Sequence, residues 1–135
     1  PQLALARVGR IRCSLKDRDA LPGLIEELTE LIAEFGGDAI VIGQATLVLG
    51  EAYDASGQYE KAVEAYERSA STATDNDRRD RIPTAIHKAA RVYAHELNKK
   101  QKAKTLIDRL KKDFGGYYSK HRKEIDAIKL PAHSP

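Results

Sequence analysis

Apolar residues recur at the spacing of an α-helix along nearly the whole chain. Clear examples are Leu24, Leu28, Leu31 and Phe35 in one segment, and Ala103, Leu106, Leu110 and Phe114 in another. A period near 3.6 residues is typical of amphipathic helices that bury one face. Since no segment shows the alternation of a half-buried strand, we predict an all-α fold.

Glycine, asparagine, aspartate and proline interrupt the apolar pattern and divide it into helices. We expect seven helices: Leu3–Cys13, Leu21–Phe35, Asp38–Ser56, Tyr59–Ala73, Asp77–Leu97, Lys99–Phe114 and Tyr118–Ile128. Two of the breaks have the same sequence pattern: Gly36-Gly37 and Gly115-Gly116 each follow a phenylalanine in the last turn of a predicted helix. We expect these glycines to end their helices in the left-handed conformation. The tail Lys129–Pro135 is expected to be a frayed end.

The composition fits one domain over residues 1–135. The chain has 23 basic and 20 acidic residues, with a formal net charge of +3, which is too close to balance to indicate a polyanion-binding protein. Its one cysteine, Cys13, forms no internal disulfide, so the redox compartment stays open. No apolar run approaches the roughly 20 residues of a membrane span, and we expect no direct membrane insertion. Because the sequence begins at Pro1 and contains no methionine, we expect a mature or excised piece of a longer protein.

The centre of the chain carries a spaced motif of small and aromatic residues. It reads Leu49-Gly50-x-x-Tyr53, then Gly57-x-Tyr59-x-x-Ala62, then Tyr66. Small residues let two antiparallel helices approach closely, a glycine turns the chain between them, and tyrosines fill the seam. The motif resembles the consensus of the tetratricopeptide repeat family in residue identity and spacing. Ser69 and Thr74 depart mildly from that consensus, which prefers alanine and proline there.

The same register extends to both sides of the central unit, with a period of about 40 residues. Gly9, Gly50 and Ala90 then occupy equivalent first-helix positions. The expected repeat-packing residues are Gly9, Leu28, Leu49, Gly50, Tyr53, Gly57, Tyr59, Ala62, Tyr66, Ala90, Tyr93, Ala103 and Ile107. The resemblance implies an α-solenoid of three helix-turn-helix repeats, about 3–37, 38–76 and 77–116, with a capping helix at about 118–128.

In tetratricopeptide proteins the first helix of each pair lines a concave groove that holds a peptide or protein segment. The resemblance places the partner-binding positions at Arg7, Arg10, Gln44, Val48, Glu51, Asp54, His87, Lys88, Arg91 and His95. The family's carboxylate clamp of Lys, Asn and Arg is not preserved. Its positions fall on Ala6, Arg10, Val48, Thr84 and Lys88, so an apolar side chain replaces the asparagine.

The remaining charged features have two interpretations each. His87, Lys88, Arg91 and His95 share one helical face, which suits either a pH-sensitive anion site or a solvated surface. His87 and His95 lack further ligands at a supporting spacing, so we expect no metal and no cofactor. The lysines of residues 98–112 lack the interleaved aromatic residues of a nucleic-acid site, and we expect no nucleic-acid partner.

We do not expect an enzyme, because the sequence has no nucleophile elbow or phosphate loop, and Cys13 has no histidine at a supporting position. The expected function is a protein-interaction scaffold that binds a peptide or protein partner, as a monomer or weak homo-oligomer. The alternative is a structural, self-associating segment of a larger envelope protein. Leu106–Tyr118 resembles the repeat ends of bacterial periplasmic tetratricopeptide proteins of the cell-division and outer-membrane-assembly type, which favours a bacterial envelope over the cytoplasm and leaves the location open.

Overall fold

The structure is a computed structural model that describes residues 2–72, 80–128 and Leu130. Over these residues the chain is all-helical and forms no strand. The eight α-helices are α1 (Gln2–Cys13), α2 (Leu21–Glu34), α3 (Ala39–Ala55), α4 (Tyr59–Ser71), α5 (Arg81–His95), α6 (Lys100–Asp113), α7 (Gly115–Lys120) and α8 (Arg122–Asp126). A short 3-10 turn, Arg18–Ala20, precedes α2.

The expected number of seven helices is wrong, and the error lies at the C-terminal end. The expected helix Tyr118–Ile128 is replaced by α7 and α8, which meet at His121. Gly115 and Gly116 form the first turn of α7 instead of ending the preceding helix, and the Tyr118 N–H donates to the Phe114 carbonyl at 2.9 Å. Elsewhere the helices lie close to the expected ranges. The expected helix end at Ala73, the expected start at Asp77 and, apart from Leu130, the expected tail Lys129–Pro135 lie outside the described residues.

The expected left-handed glycine caps are also wrong. Among the described glycines only Gly57, in the turn between α3 and α4, has a positive φ, at 78°. After α2 the chain turns without a left-handed residue, and the Asp38 carboxylate accepts the Ile40 and Val41 N–H groups at 3.0 and 3.2 Å. This aspartate supplies acceptors for free N–H groups at the start of α3, so an N-cap sets this boundary.

Successive helices pack against each other from α2 to α6, and α3 also contacts both α1 and α5. Helices α3 and α4 are antiparallel: the Ser69 hydroxyl donates to the Gly43 carbonyl at 2.8 Å, and the Tyr66 hydroxyl donates to Asp54 at 3.1 Å. The apolar core has two parts. One joins α1, α2 and α3, and the other joins α3 to α6 with Ile125 of α8. The helical packing is therefore repeat-like.

The expected repeat-packing positions differ in how they pack. Eight of them are buried: Leu28, Gly50, Ala62, Tyr66, Ala90, Tyr93, Ala103 and Ile107. Leu49, Tyr53 and Tyr59 are half-buried. Gly9 and Gly57 are exposed, and a Cβ placed on Gly9 would meet no atom within 4 Å. Gly9 therefore makes no close helix contact of the kind expected from its register.

A buried arginine at the start of α5 terminates α4. Arg81 is 4% exposed, and its guanidinium donates to the carbonyl and hydroxyl of Ser69 and to the Thr72 carbonyl. The last carbonyls of a helix lack intrahelical donors, and a cation there also complements the helix dipole. Gly43 allows this arrangement, because a Cβ at that position would lie 2.5 Å from Arg81 Cζ.

Candidate functional site

One carboxylate links helices α1, α3 and α5. Oε2 of Glu51 in α3 lies 3.3 Å from Nη2 of Arg12 in α1 and 3.2 Å from Nζ of Lys88 in α5. Glu51 and Lys88 were both expected at partner-binding positions, and the structure brings them together. Arg12 was not expected there. Since two cations share one carboxylate oxygen, each keeps donor capacity for another acceptor.

A second carboxylate lies one turn further along α3. Oδ2 of Asp54 accepts from the Tyr66 hydroxyl of α4 at 3.1 Å and from the Arg91 guanidinium of α5 in a short ion pair. Burial, followed by the negative charges of Asp54 and Glu51, raises the pKa of Tyr66 above its ordinary value. The phenol therefore remains protonated and acts as a donor, which holds the Asp54 carboxylate toward Arg91.

Helices α5 and α7 meet through a cluster of two histidines and a tyrosine. The Tyr117 hydroxyl lies 3.0 Å from Nδ1 of His87, and the Tyr117 ring stacks on His121 with centroids 4.2 Å apart. The centroids of the two imidazoles are 6.2 Å apart. Nδ1 of His121 lies 3.1 Å from Oε2 of Glu124 in α8.

Burial, followed by the positive charges of its surroundings, lowers the pKa of His87. His121, Lys88 and Arg91 all act to lower this pKa, and the Glu124 carboxylate opposes them. A buried imidazole loses hydration of its charged form, so the neutral form is favoured at neutral pH. His87 then has one nitrogen donor and one acceptor, and the Tyr117 hydroxyl can complement either.

These groups surround an open cleft of about 450 Å³, which we refer to as the basic cleft. Its lining combines side chains from α1, α5 and the C-terminal helices: Arg12, Thr84, His87, Lys88, Arg91, Tyr117, His121 and Glu124. Most of these groups are cations or hydrogen-bond donors. The arrangement is chemically suited to anionic oxygen atoms.

The other expected binding residues lie apart from the basic cleft. Arg7 and Arg10 pair with Glu27 of α2 at 3.7 and 3.2 Å. Gln44 is half-buried on α3 and His95 is exposed at the end of α5. Val48 is 2% exposed and belongs to the core, so its side chain offers little surface to a partner.

Sequence reasoning missed Arg12, Tyr117, His121 and Glu124 of this lining. Tyr117 and His121 are four residues apart, a spacing that places side chains on one helical face. That signal was available, but the expected cap began at Tyr118. The position of Arg12 depends on the register between α1 and α3, which the sequence of either helix does not specify.

Metal binding, disulfide formation and membrane insertion each place requirements on the described part of the chain. No cluster of three or more His, Cys, Asp or Glu side chains is arranged to hold a metal ion within residues 2–72 and 80–128. Cys13 is exposed and unbridged. Among the helices described, none has both the length and the apolar character needed to cross a membrane.

Comparison of the chain with protein-family models, with curated proteins and with solved structures gives no match. The geometry of the site is therefore the basis for assigning a function.

Proposed function

We propose that the chain is a tetratricopeptide-like solenoid that binds a peptide or protein segment along the surface formed by α1, α3 and α5. We call this surface the odd-helix face and define it by Arg12, Gln44, Glu51, Asp54, His87, Lys88 and Arg91. The observation that carries the proposal is the pair of ion-pair groups, Arg12–Glu51–Lys88 and Asp54–Arg91, which cross from helix to helix. They make one continuous polar surface from three separate helices.

The packing of the central unit supports the repeat assignment. Tyr66 lies against Gly50, where a Cβ would come within 2.5 Å of its ring, and Ala62 is fully buried. Gly57 turns the chain with a positive φ. These are the roles that the tetratricopeptide resemblance implies for the three residues. Helical repeats of this kind present extended surfaces to ligands because each unit contacts mainly its neighbours.

The odd-helix face combines fixed positions with accessible donors. The side chains of Lys88 and Arg91 are 34% and 40% exposed, while their partners Glu51 and Asp54 are 13% and 17% exposed. The more deeply buried carboxylates thus fix the positions of the cations, and the ammonium and guanidinium groups remain in contact with solvent. A surface held in this way loses less side-chain freedom when a partner binds, which favours association. Its charged character suits a transient partner rather than an obligate one.

Affinity capture from cells of the source organism tests the proposal. The bait proteins are the wild type, a Lys88→Glu/Arg91→Glu variant, and a Lys104→Glu/Arg109→Glu control whose substitutions lie on exposed positions of α6. Circular dichroism and thermal unfolding establish that each remains folded. We expect a partner that the wild type and the control retain and that the face variant loses, because reversed charges repel the groups that the partner presents.

A milder variant keeps the test informative if the charge-reversal variant does not fold. Lys88→Gln removes one ammonium group and leaves Glu51 paired with Arg12, so the helices stay linked. It should weaken capture without changing the unfolding transition. Equal capture by all variants would contradict binding at the odd-helix face.

A self-associating structural segment is a second candidate, favoured by exposed apolar side chains near the starts of α1 and α3. Leu3 is 83% exposed and Ile40 is 44% exposed, each in the first turns of its helix. Exposed apolar side chains become functional when they form a patch that a partner covers. Sedimentation velocity over a range of concentrations distinguishes the candidates: a concentration-dependent dimer that Leu3→Glu/Ile40→Glu abolishes supports self-association, and a monomer at all concentrations favours the scaffold.

A further inference from the structure

We propose that the basic cleft binds an oxyanionic group, a carboxylate or a phosphoryl group, presented by the segment that the odd-helix face holds. This inference rests on the proposed function and deepens it, because it names the chemistry that the partner must display. It concerns the part of the face where α5 meets α7, which neither the repeat motif nor the ion pairs of α3 explain.

The cations at the edge of the cleft are positioned before any ligand arrives. Arg12, Lys88 and Arg91 are each paired with a carboxylate of α3 that lies deeper than they do. Arg12 is the most exposed of them, at 52%. An arginine has five N–H donors and a lysine has three, so pairing with one carboxylate oxygen leaves donors that can face the cleft.

The opposite wall contributes further groups that can donate hydrogen bonds. Tyr117 and His121 are stacked, which fixes the planes of both rings, and Tyr117 is also joined to His87. Thr84 adds a hydroxyl at the same wall. Convergent donors from cations, imidazoles and hydroxyls match the several lone pairs of a carboxylate or phosphoryl group, and charge-assisted hydrogen bonds are about twice as strong as neutral ones.

The charge of the cleft also depends on the imidazole of His87. Around it, three basic side chains, Arg12, Lys88 and Arg91, are matched in number by three carboxylates, Glu51, Asp54 and Glu124. The groups facing His87 come from every neighbouring element, namely Thr84, Lys88 and Arg91 of α5, Arg12 of α1, Tyr117 of α7, and His121 and Glu124 beyond it. A proton on His87 therefore adds positive charge beside the bound oxyanion, and binding should strengthen as the pH falls through the lowered pKa of His87.

The test uses sodium sulfate as the first probe, because sulfate remains a dianion while histidines titrate. Backbone amide signals of isotopically labelled protein are followed during titration at constant ionic strength, with chloride as the reference salt. We expect saturable shifts at Arg12, Lys88, Tyr117 and His121, and tighter binding as the pH is lowered through the pKa of His87. Shifts that grow linearly without saturation, or that spread evenly over the surface, would overturn the proposal.

Matched variants locate the site. Arg12→Gln and Tyr117→Phe each remove one donor group from the lining, and each should weaken sulfate binding several-fold. The control Lys104→Gln removes a cation of α6 that pairs with Asp108 at 2.9 Å, and it should bind sulfate as the wild type does. Tyr117→Phe keeps the stacked ring, so it remains informative if Arg12→Gln lowers the stability. Unchanged binding in both lining variants would overturn the assignment of the site.

Three capped peptides that differ only in a central serine, glutamate or phosphoserine distinguish the two sources of the oxyanion. Preference for glutamate identifies a carboxylate, and preference for phosphoserine identifies a phosphoryl group. Equal binding of all three would contradict oxyanion recognition. The proposed function stands or falls separately: a captured partner that depends on Lys88 and Arg91 but is not displaced by sulfate or by either anionic peptide supports the scaffold and refutes the inference.

Discussion

The ring of Tyr66 in α4 lies directly against the backbone of Gly50 in α3. A Cβ on Gly50 would stand 2.5 Å from Cδ1 and 2.6 Å from Cε1 of that ring. Tyr66 is 1% exposed and its hydroxyl is bonded to Asp54, so the ring has little freedom to move away. This contact determines how closely the two helices of the central unit approach.

Replacing Gly50 with alanine should therefore destabilise the protein. Overpacking of a filled core costs about 1–3 kcal/mol, and the better helix propensity of alanine offsets up to about 1 kcal/mol. We expect a net fall of about 1–2 kcal/mol in the free energy of unfolding, measured by urea denaturation. Gly9→Ala is the matched control: Gly9 is exposed and has open space beside it, so this change should stabilise α1 by about 0.5–1 kcal/mol. Stabilisation by both changes would contradict the close approach.

The buried Arg81 should be far more important for stability than an exposed arginine. Arg81→Met removes the donors from the Ser69 and Thr72 carbonyls at the end of α4, and buried acceptors without donors are costly. We expect a loss of about 2–4 kcal/mol in urea denaturation. In contrast, Arg109→Met on α6 removes an exposed pair with Asp113 and should change stability by less than about 1 kcal/mol. Similar effects of the two substitutions would refute the capping role of Arg81.

His87 should make the fold less stable in acid. Its pKa in the folded chain is below the ordinary value of 6.5, so the folded state binds protons less readily than the unfolded state. The stability gained from a neutral His87 is complete above pH 6.5 and is lost as the pH falls through the lowered pKa. Urea denaturation at several pH values should show that His87→Gln loses less stability than the wild type on acidification. Parallel profiles would contradict the burial of the neutral imidazole.

Tyr93 should ionise late in an alkaline titration. Burial, followed by the charge of Glu67 and its hydrogen bond at 3.0 Å to the phenol, raises the pKa of Tyr93 to about 12. The stability gained from the neutral phenol is present below its ordinary pKa of 10.0 and is lost as the pH rises through about 12. Ultraviolet titration of tyrosinate should show a late step that Tyr93→Phe removes and that Glu67→Gln moves to lower pH. A wild-type titration that shows no such late step would contradict the buried, hydrogen-bonded environment of Tyr93.

The apolar period was sufficient to predict the first six helices, because each is long enough for its buried face to repeat several times. The apolar period did not predict the helices after Phe114, because α7 and α8 are too short for a buried face to repeat. The two glycines there begin a helix, although glycine pairs more often suggest an end. His121 follows no helix-breaking residue. The break between α7 and α8 at His121 coincides with stacking of the His121 ring on Tyr117 and with burial of Ile125 in the core. Such tertiary contacts override local helix preference.

The residues of the candidate site could be predicted from the sequence only where they lie on the same helix. Of the predicted group His87, Lys88, Arg91 and His95, the first three line the cleft because positions three and four residues apart share a helical face, whereas His95 lies apart from it. The partners of those residues depend on how helices are offset against each other. Glu51 joins Arg12 to Lys88, and Tyr117 reaches His87 across 30 residues of sequence. Relationships of this kind arise from packing and have no local signature.

Site-specific photo-crosslinking tests most directly whether the odd-helix face is the binding surface. A photo-reactive amino acid replaces Gln44 on that face in one protein and exposed Glu64 of α4 in another. Both are irradiated in cells of the source organism, and the adducts are identified by mass spectrometry. The account predicts one specific adduct from position 44 that Lys88→Glu/Arg91→Glu abolishes, and none from position 64. An adduct from position 64 alone, or none from position 44, would contradict it.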